Sequence, residues 1–240
     1  MLGKDAGEKE IMKWLTWLPV FALLLIPSVC IVSPITYGGG NGTWVYLDIH
    51  PTSWPNPINI KAKGMYPAAI CGTETFDVST IDPSTLKIYL FDGTGGVSPE
   101  RWAYEDVVTP YTGPRPGGHT LGPDGYMDLV FHFKLQDVVT GLNLAAHVGE
   151  TVTLYIRGYL FNGVPIYGED YARILDLPGD VNNDARVDIL DGTIIGLAWN
   201  ATPNPSPNWD ERADIVEDHH VDILDAVVVS LNWGQTVPLE

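Results

Sequence analysis

The chain has 240 residues, of which 30 are acidic and 13 basic, for a formal charge of −17. A surface this acidic lacks the basic footprint that a nucleic-acid backbone requires, which argues against a nucleic-acid partner. Hydrophobic residues make up 45% of the chain, enough for one or two packed domains, and the 25 glycines and 19 prolines favour short strands and turns over long helices.

The first residues mix charges, and Trp14 to Val32 then runs without any. This pattern predicts a secretory signal peptide or an N-terminal membrane anchor over residues 1–35. Either one makes that segment the only contact with a membrane and places the rest of the chain outside the cytoplasm, secreted or at the cell surface. A Gly-rich linker follows over residues 36–43. Asn41-Gly42-Thr43 and Asn200-Ala201-Thr202 are N-glycosylation acceptors by sequence, which makes Asn41 and Asn200 candidate modification sites. Cys30 lies in the apolar run, so Cys71 is left as a lone thiol, expected to be buried and inert.

Residues 44–177 read as β-structure. Trp44–His50 alternates, with Val45, Leu47 and Ile49 on one face, and similar short runs occur at Ile58–Lys61, Leu86–Phe91, Met127–Phe133 and Thr151–Leu160. One short helix is expected near Leu135–Leu142. The pattern predicts a mainly β fold, an antiparallel β-sandwich of seven to nine strands. Asn56 and Asn59 read as turn residues that bond nearby backbone. The motifs LDIHPTSWPNPINIKAKG at Leu47–Gly64, PAAICGTETFD at Pro67–Asp77 and DGYMDLVFHF at Asp124–Phe133 resemble a widespread domain of secreted bacterial and archaeal proteins. In that domain the EDV motif, here Glu105–Val107, runs into an aspartate-rich turn. The resemblance implies a third metal site at Asp106, Asp124 and Asp128, here split by a Pro/Gly-rich insertion at Thr109–Pro123. The alternative is a turn and a strand cap.

Residues 178–240 read as a separate module after a short linker at Leu177–Gly179. Asp180–Asp191, DVNNDARVDILD, places oxygen-bearing side chains at loop positions 1, 3, 5, 9 and 12: Asp180, Asn182, Asp184, Asp188 and Asp191. With the backbone carbonyl of Arg186 at position 7, this is the ligand rhythm of an EF-hand-type calcium loop, because Ca2+ takes six or more oxygens. An apolar run at helical spacing follows. The pattern returns at Asp214, and VDILD is identical in the two copies, with Asp214, Asp218, the His220 carbonyl, Asp222 and Asp225 as candidate ligands. In the second copy Val216 at position 3 has no side-chain oxygen. Position 6, usually Gly because the chain turns through positive φ there, is Ala185 in one copy and His219 in the other. The first loop is expected to bind calcium and the second weakly or not at all. Two such loop-helix repeats resemble the type I dockerin, a small α-helical calcium-binding module. The resemblance implies docking onto a cohesin domain of another surface protein, with recognition at loop positions 10 and 11: Ile189 and Leu190, and Ile223 and Leu224. The alternative for these pairs is intramolecular packing on the sandwich.

No catalytic motif stands out. Glu74, Glu100, Glu105 and Glu169 form no pair by spacing, and there is no G-x-S-x-G, H-E-x-x-H or phosphate loop. Trp44, Trp54 and Trp102 are candidates for a carbohydrate platform, with core packing expected instead, and Trp199 and Trp233 are expected in the core of the C-terminal module. The sequence therefore predicts a non-catalytic secreted or cell-surface docking protein. Two alternatives remain: a polysaccharide-binding or polysaccharide-hydrolysing protein carrying a dockerin, and a calcium-bridged element of a cell envelope or filament.

Overall fold

The computed structural model describes residues 42–237. The predicted leader over residues 1–35 and the Asn41 acceptor lie outside the described residues. Thr43–Trp44 (β1), Leu47–Ile49 (β2), Pro57–Asn59 (β3), Met65–Ile70 (β4), Ile81–Leu90 (β5), Gly95–Val97 (β6) and Arg101–Glu105 (β7) precede the insertion. Asp128–Lys134 (β8), the helix Leu135–Gly141 (α1), Thr151–Leu160 (β9) and Pro165–Leu175 (β10) complete the β-part, and the helices Ile189–Leu197 (α2) and Ile223–Leu231 (α3) follow. The fold is mainly β, as expected. One sheet runs β1-β10-β9-β5-β6, with β3 on the free part of β10, and the other runs β2-β4-β8-β7. The long pairings are antiparallel, while the short β1 and β3 join β10 in parallel. Among the described residues no helix is long and apolar enough to cross a membrane.

The run expected as one strand at Trp44–His50 is shared between the sheets. Val45 donates its N–H to the Tyr167 carbonyl of β10, whereas the next carbonyl, Tyr46, already accepts from Cys71 just beyond β4. The alternation survives the crossing, because Val45, Leu47 and Ile49 are all buried in the core between the sheets. Phe131 and Phe133 of β8 meet edge to face at 5.6 Å in that core.

Strand β8 also buries Val130 on its other face. There Ala69, Cys71 and Val108 join it in a small second cluster, covered by chain leaving β7. Asp128 fastens that chain: one oxygen accepts the Gly72 N–H at 2.9 Å, the other those of Val107 and Val108 at 2.8 and 3.0 Å. A Cβ at Gly72 would lie 2.1 Å from the Met127 carbonyl oxygen, so only glycine allows this approach. Cys71 is a buried free thiol. Burial pushes its pKa up, with the carboxylates of Asp48 and Asp128 adding to the effect, and this keeps it a thiol rather than a nucleophilic thiolate.

Where the two sheets meet at β2 and β10, the Asp170 carboxylate accepts the Ile49 N–H at 2.8 Å and the Asn56 amide at 2.9 Å. Burial pushes Asp170 up to about 6. Nearby Asp48 is pushed up to about 8, by burial first and then by the charges of Asp170 and Asp128.

Candidate functional site

The C-terminal residues form two turns of backbone, each closed by an aspartate and followed by a helix. In the first, one Asp191 oxygen accepts the N–H groups of Val181 and Asn182 at 2.7 and 3.1 Å, and the other accepts that of Asp188 at 2.8 Å. Asp188 caps α2 by accepting the Leu190 N–H at 2.8 Å, so Asp188 and Asp191 make a reciprocal capping box. Asp180 accepts from Asp184 and Ala185 at 3.0 and 3.1 Å, and Asp184 accepts from Arg186 at 3.0 Å.

The second turn repeats every one of these bonds. Asp225 accepts from Ile215, Val216 and Asp222; Asp222 caps α3 through Leu224; Asp214 accepts from Asp218 and His219; and Asp218 accepts from His220. The difference lies at position 3. The Asn182 Oδ1 accepts the Asp184 N–H at 3.0 Å, and Val216 has nothing to offer in its place. Positions 4 and 6 are left-handed in both turns, with φ of 62° at Asn183, 69° at Ala185, 62° at Glu217 and 65° at His219. A side chain with a Cβ is strained there by about 1–2 kcal/mol per residue. His219 is exposed, so His219→Gly is expected to raise stability by about 1 kcal/mol, measured by urea unfolding.

The halves are tied crosswise. Val187 of the first turn bonds Gly234 and Gln235 beyond α3, and Val221 of the second bonds Asn200 and Ala201 beyond α2. Leu177, Val187, Ile195, Val221 and Val229 form the core of this part.

The acceptor chemistry fits a hard dication. Four carboxylates, a carboxamide and main-chain carbonyls are drawn into one turn, and two of the carboxylates, Asp180 and Asp191, are buried. Burial, followed by the charges of Asp191 and Asp184, pushes Asp180 up to about 7. Such crowding of acceptor groups is relieved by a cation. Among the described residues, no three His, Cys, Asp or Glu side chains stand close enough together to hold a metal by themselves. Each acid is turned onto backbone N–H groups, so closing a coordination sphere requires the loop to tighten.

The structure does not gather Asp106, Asp124 and Asp128 into one cluster. Asp106 accepts the N–H groups of Asp124 and Gly125 at 3.0 and 2.9 Å, Asp124 accepts that of Tyr126, and Asp128 fastens the chain after β7. Asn200 is exposed beside the second turn, its side chain 3.2 Å from His220 Nε2.

The apolar pairs point outward. Ile189 is 65% exposed, Leu190 54%, Ile223 60% and Leu224 52%. They do not pack on the sandwich, which removes the intramolecular alternative for these side chains. Leu197, Trp199, Leu231 and Trp233, at matching places at the far ends of the two helices, are exposed as well. The expectation that Trp199 and Trp233 fill the module's core is corrected, since both follow the last helical turn and extend past the packed face. Trp44 and Trp102 are likewise exposed rather than in the core, because β1 and β7 are sheet edges with no strand beyond them.

The module meets the sandwich through a different surface, one that sequence reasoning missed. Asn59 is fully buried: its amide donates to the carbonyls of Leu177 and Asp180 at 2.8 and 3.2 Å, and its Oδ1 accepts from Lys61 and Leu177. Asn183, in the first turn, answers it. The Asn59 N–H donates to the Asn183 Oδ1 at 2.6 Å, and the Asn183 amide donates to the Pro57 carbonyl at 2.8 Å. Lys63 reaches the second turn, bonding the Asp214 carbonyl and pairing with Glu217 at 3.5 Å. The available signal was the asparagine at position 4, a residue type that accepts left-handed backbone readily.

Residues 178–231 match the family model described as the dockerin type I domain. The C-terminal region is therefore a type I dockerin-like module. Modules of this type bind calcium and dock onto cohesin domains in general, and proteins that carry them are generally extracellular or at the cell surface. No curated protein and no solved structure matches the chain.

Proposed function

We propose that this chain is a non-catalytic secreted or surface protein, docked through its C-terminal dockerin-like module onto a cohesin-type domain of another surface protein. The observation that carries the reading is the outward placement of Ile189, Leu190, Ile223 and Leu224 at equivalent positions on two helices. Exposed apolar pairs of this kind, repeated on both helices, mark partner surfaces. Calcium in the first turn would be held by Asp180, Asn182, Asp184, the Arg186 carbonyl, Asp188 and Asp191. In the second it would be held more weakly by Asp214, Asp218, the His220 carbonyl, Asp222 and Asp225. The cation supplies folding energy by neutralising converging carboxylates. Asp106, Asp124 and Asp128 take the turn-fastening role that their hydrogen bonds support. Leader removal and glycosylation of Asn200 belong to the same extracellular reading.

The test uses a panel of immobilised type I cohesin domains. Binding is expected in calcium and not in EDTA, and the paired variant Leu190→Asp with Leu224→Asp is expected to lose ~100-fold or more in affinity. Undiminished binding by the paired variant would overturn the assignment of this face.

Trp102 and Tyr104, both exposed and two residues apart on the edge strand β7, favour polysaccharide binding as a second reading. Retention on insoluble polysaccharide that disappears in Trp102→Ala would support it, and no retention by the parent would end it.

A further inference from the structure

We propose that Asp48, Asp170 and the side-chain carbonyl of Asn56 form a site for one hard divalent cation within the sandwich, distinct from the two C-terminal turns. Asp48 lies on β2, Asp170 on β10 and Asn56 on the turn entering β3, so the three groups come together where the sheets meet. They line a cavity of about 10 Å³, which also touches Ser53 and His119. That is room for one water-sized particle.

Asn56 carries the argument. It is 1% exposed, and its amide nitrogen donates to Asp170 Oδ2 and to the Tyr171 carbonyl, both at 2.9 Å. Those two acceptors fix the orientation of the amide, because the flipped form would set oxygen against oxygen. The Asn56 Oδ1 is left buried with no partner. Groups left in this state are costly, and they point to something that binds there. The Asp48 carboxylate beside it makes no hydrogen bond or ion pair among the described residues.

His119 is one donor at the cavity. His119 accepts the Leu121 N–H at Nδ1, 3.4 Å away, which puts the ring proton of the neutral form on Nε2. That Nε2 is buried and unpartnered too. One water between His119 and Asn56 would satisfy those two atoms and leave Asp48 without a partner. A dication takes the Asn56 oxygen and both carboxyl groups together, releasing to solvent the proton that burial keeps on Asp48. The facing ligands are oxygens, with the Ser53 hydroxyl at hand, and this favours Ca2+ over a metal that prefers imidazole or thiolate.

The test is a calorimetric CaCl2 titration of the full chain, parent against Asp48→Asn. The variant is expected to lose one equivalent of calcium, while the equivalent bound by the first C-terminal turn, the one that Asp180→Ala removes, is unaffected. In EDTA at neutral pH, Asp48→Asn is expected to melt with the parent, because burial already favours the neutral carboxyl there. In calcium the parent is expected to melt above the variant. If Asp48→Asn folds poorly, Asn56→Gly keeps the left-handed backbone at this position (φ 52°) and is expected to weaken the same equivalent at least tenfold. Equal numbers of equivalents in parent and variant, with the same calcium-induced rise in melting temperature, would overturn the proposal and leave the cavity to a water.

Discussion

Asn59→Ala is expected to lower the melting temperature of the whole chain by about 6–12 °C. The side chain makes three hydrogen bonds across the junction between sandwich and module, and its removal strands the Leu177 N–H and the carbonyls of Leu177 and Asp180 in a buried place. Stranded buried groups cost roughly 1–3 kcal/mol each, part of it recovered by relaxation, so the net is about 3 kcal/mol. For a chain of this size, 1 kcal/mol shifts the melting temperature by roughly 2–4 °C. Because Asn183 sits inside the first turn and bonds Pro57 and Asn59 of the sandwich, the two parts are expected to melt together in the parent. Scanning calorimetry reads this directly. One transition in the parent and two in Asn59→Ala is the expected pattern. Two independent transitions already in the parent would refute the coupling.

Asp191→Ala is the second large effect. One carboxylate accepts three backbone N–H groups, completes the capping box of α2 and stands at position 12 of the calcium loop. Alanine removes all of these at once. A helix of nine residues is marginal without its caps and its packing. The expected outcome is loss of calcium uptake by the first turn and about 3 kcal/mol of local stability. Amide exchange over residues 189–197 then accelerates by roughly 100-fold, since each 1.4 kcal/mol is a factor of ten. The sandwich strands stay protected. Unchanged exchange in α2 would mean that the cap carries little of the helix's stability. Asp225→Ala, with the same bonds in the second turn, is expected to loosen α3 with a smaller change in calcium uptake.

The reach of the sequence can be traced residue by residue. The C-terminal turns were legible because their ligand spacing and their helix caps use the same aspartates, so one pattern reports two things. The outward apolar pairs were legible for the same reason, as they sit at fixed offsets from those caps. The β-part was legible where alternation is strict, as in β9, and at the helix α1, whose predicted span Leu135–Leu142 is close to Leu135–Gly141. It was less legible at Trp44–His50, because period-2 burial says which side faces the core but not which sheet the backbone joins. Local sequence does not show the exposure of Trp44 and Trp102, because it cannot tell an edge strand from a central one, nor that of Trp199 and Trp233, because helical spacing does not show where the packed face ends. By local sequence the asparagines read as turn residues. Their long-range roles, Asn59 across to Leu177 and Asn56 across to Asp170, depend on contacts more than a hundred positions apart that no local pattern encodes. Asp48 and Asp170 were invisible as a pair for the same reason.

The most direct test of a calcium-organised docking module is calorimetric calcium titration of the full chain beside Asp180→Ala and Asp214→Ala. The expected result is calcium binding largely abolished at the first turn by Asp180→Ala, with a fall in melting temperature, and barely changed by Asp214→Ala. Calcium uptake and melting indifferent to Asp180→Ala would contradict it. The C-terminal repeat would then be a metal-free helical pair, and the function would have to be sought in the β-sandwich.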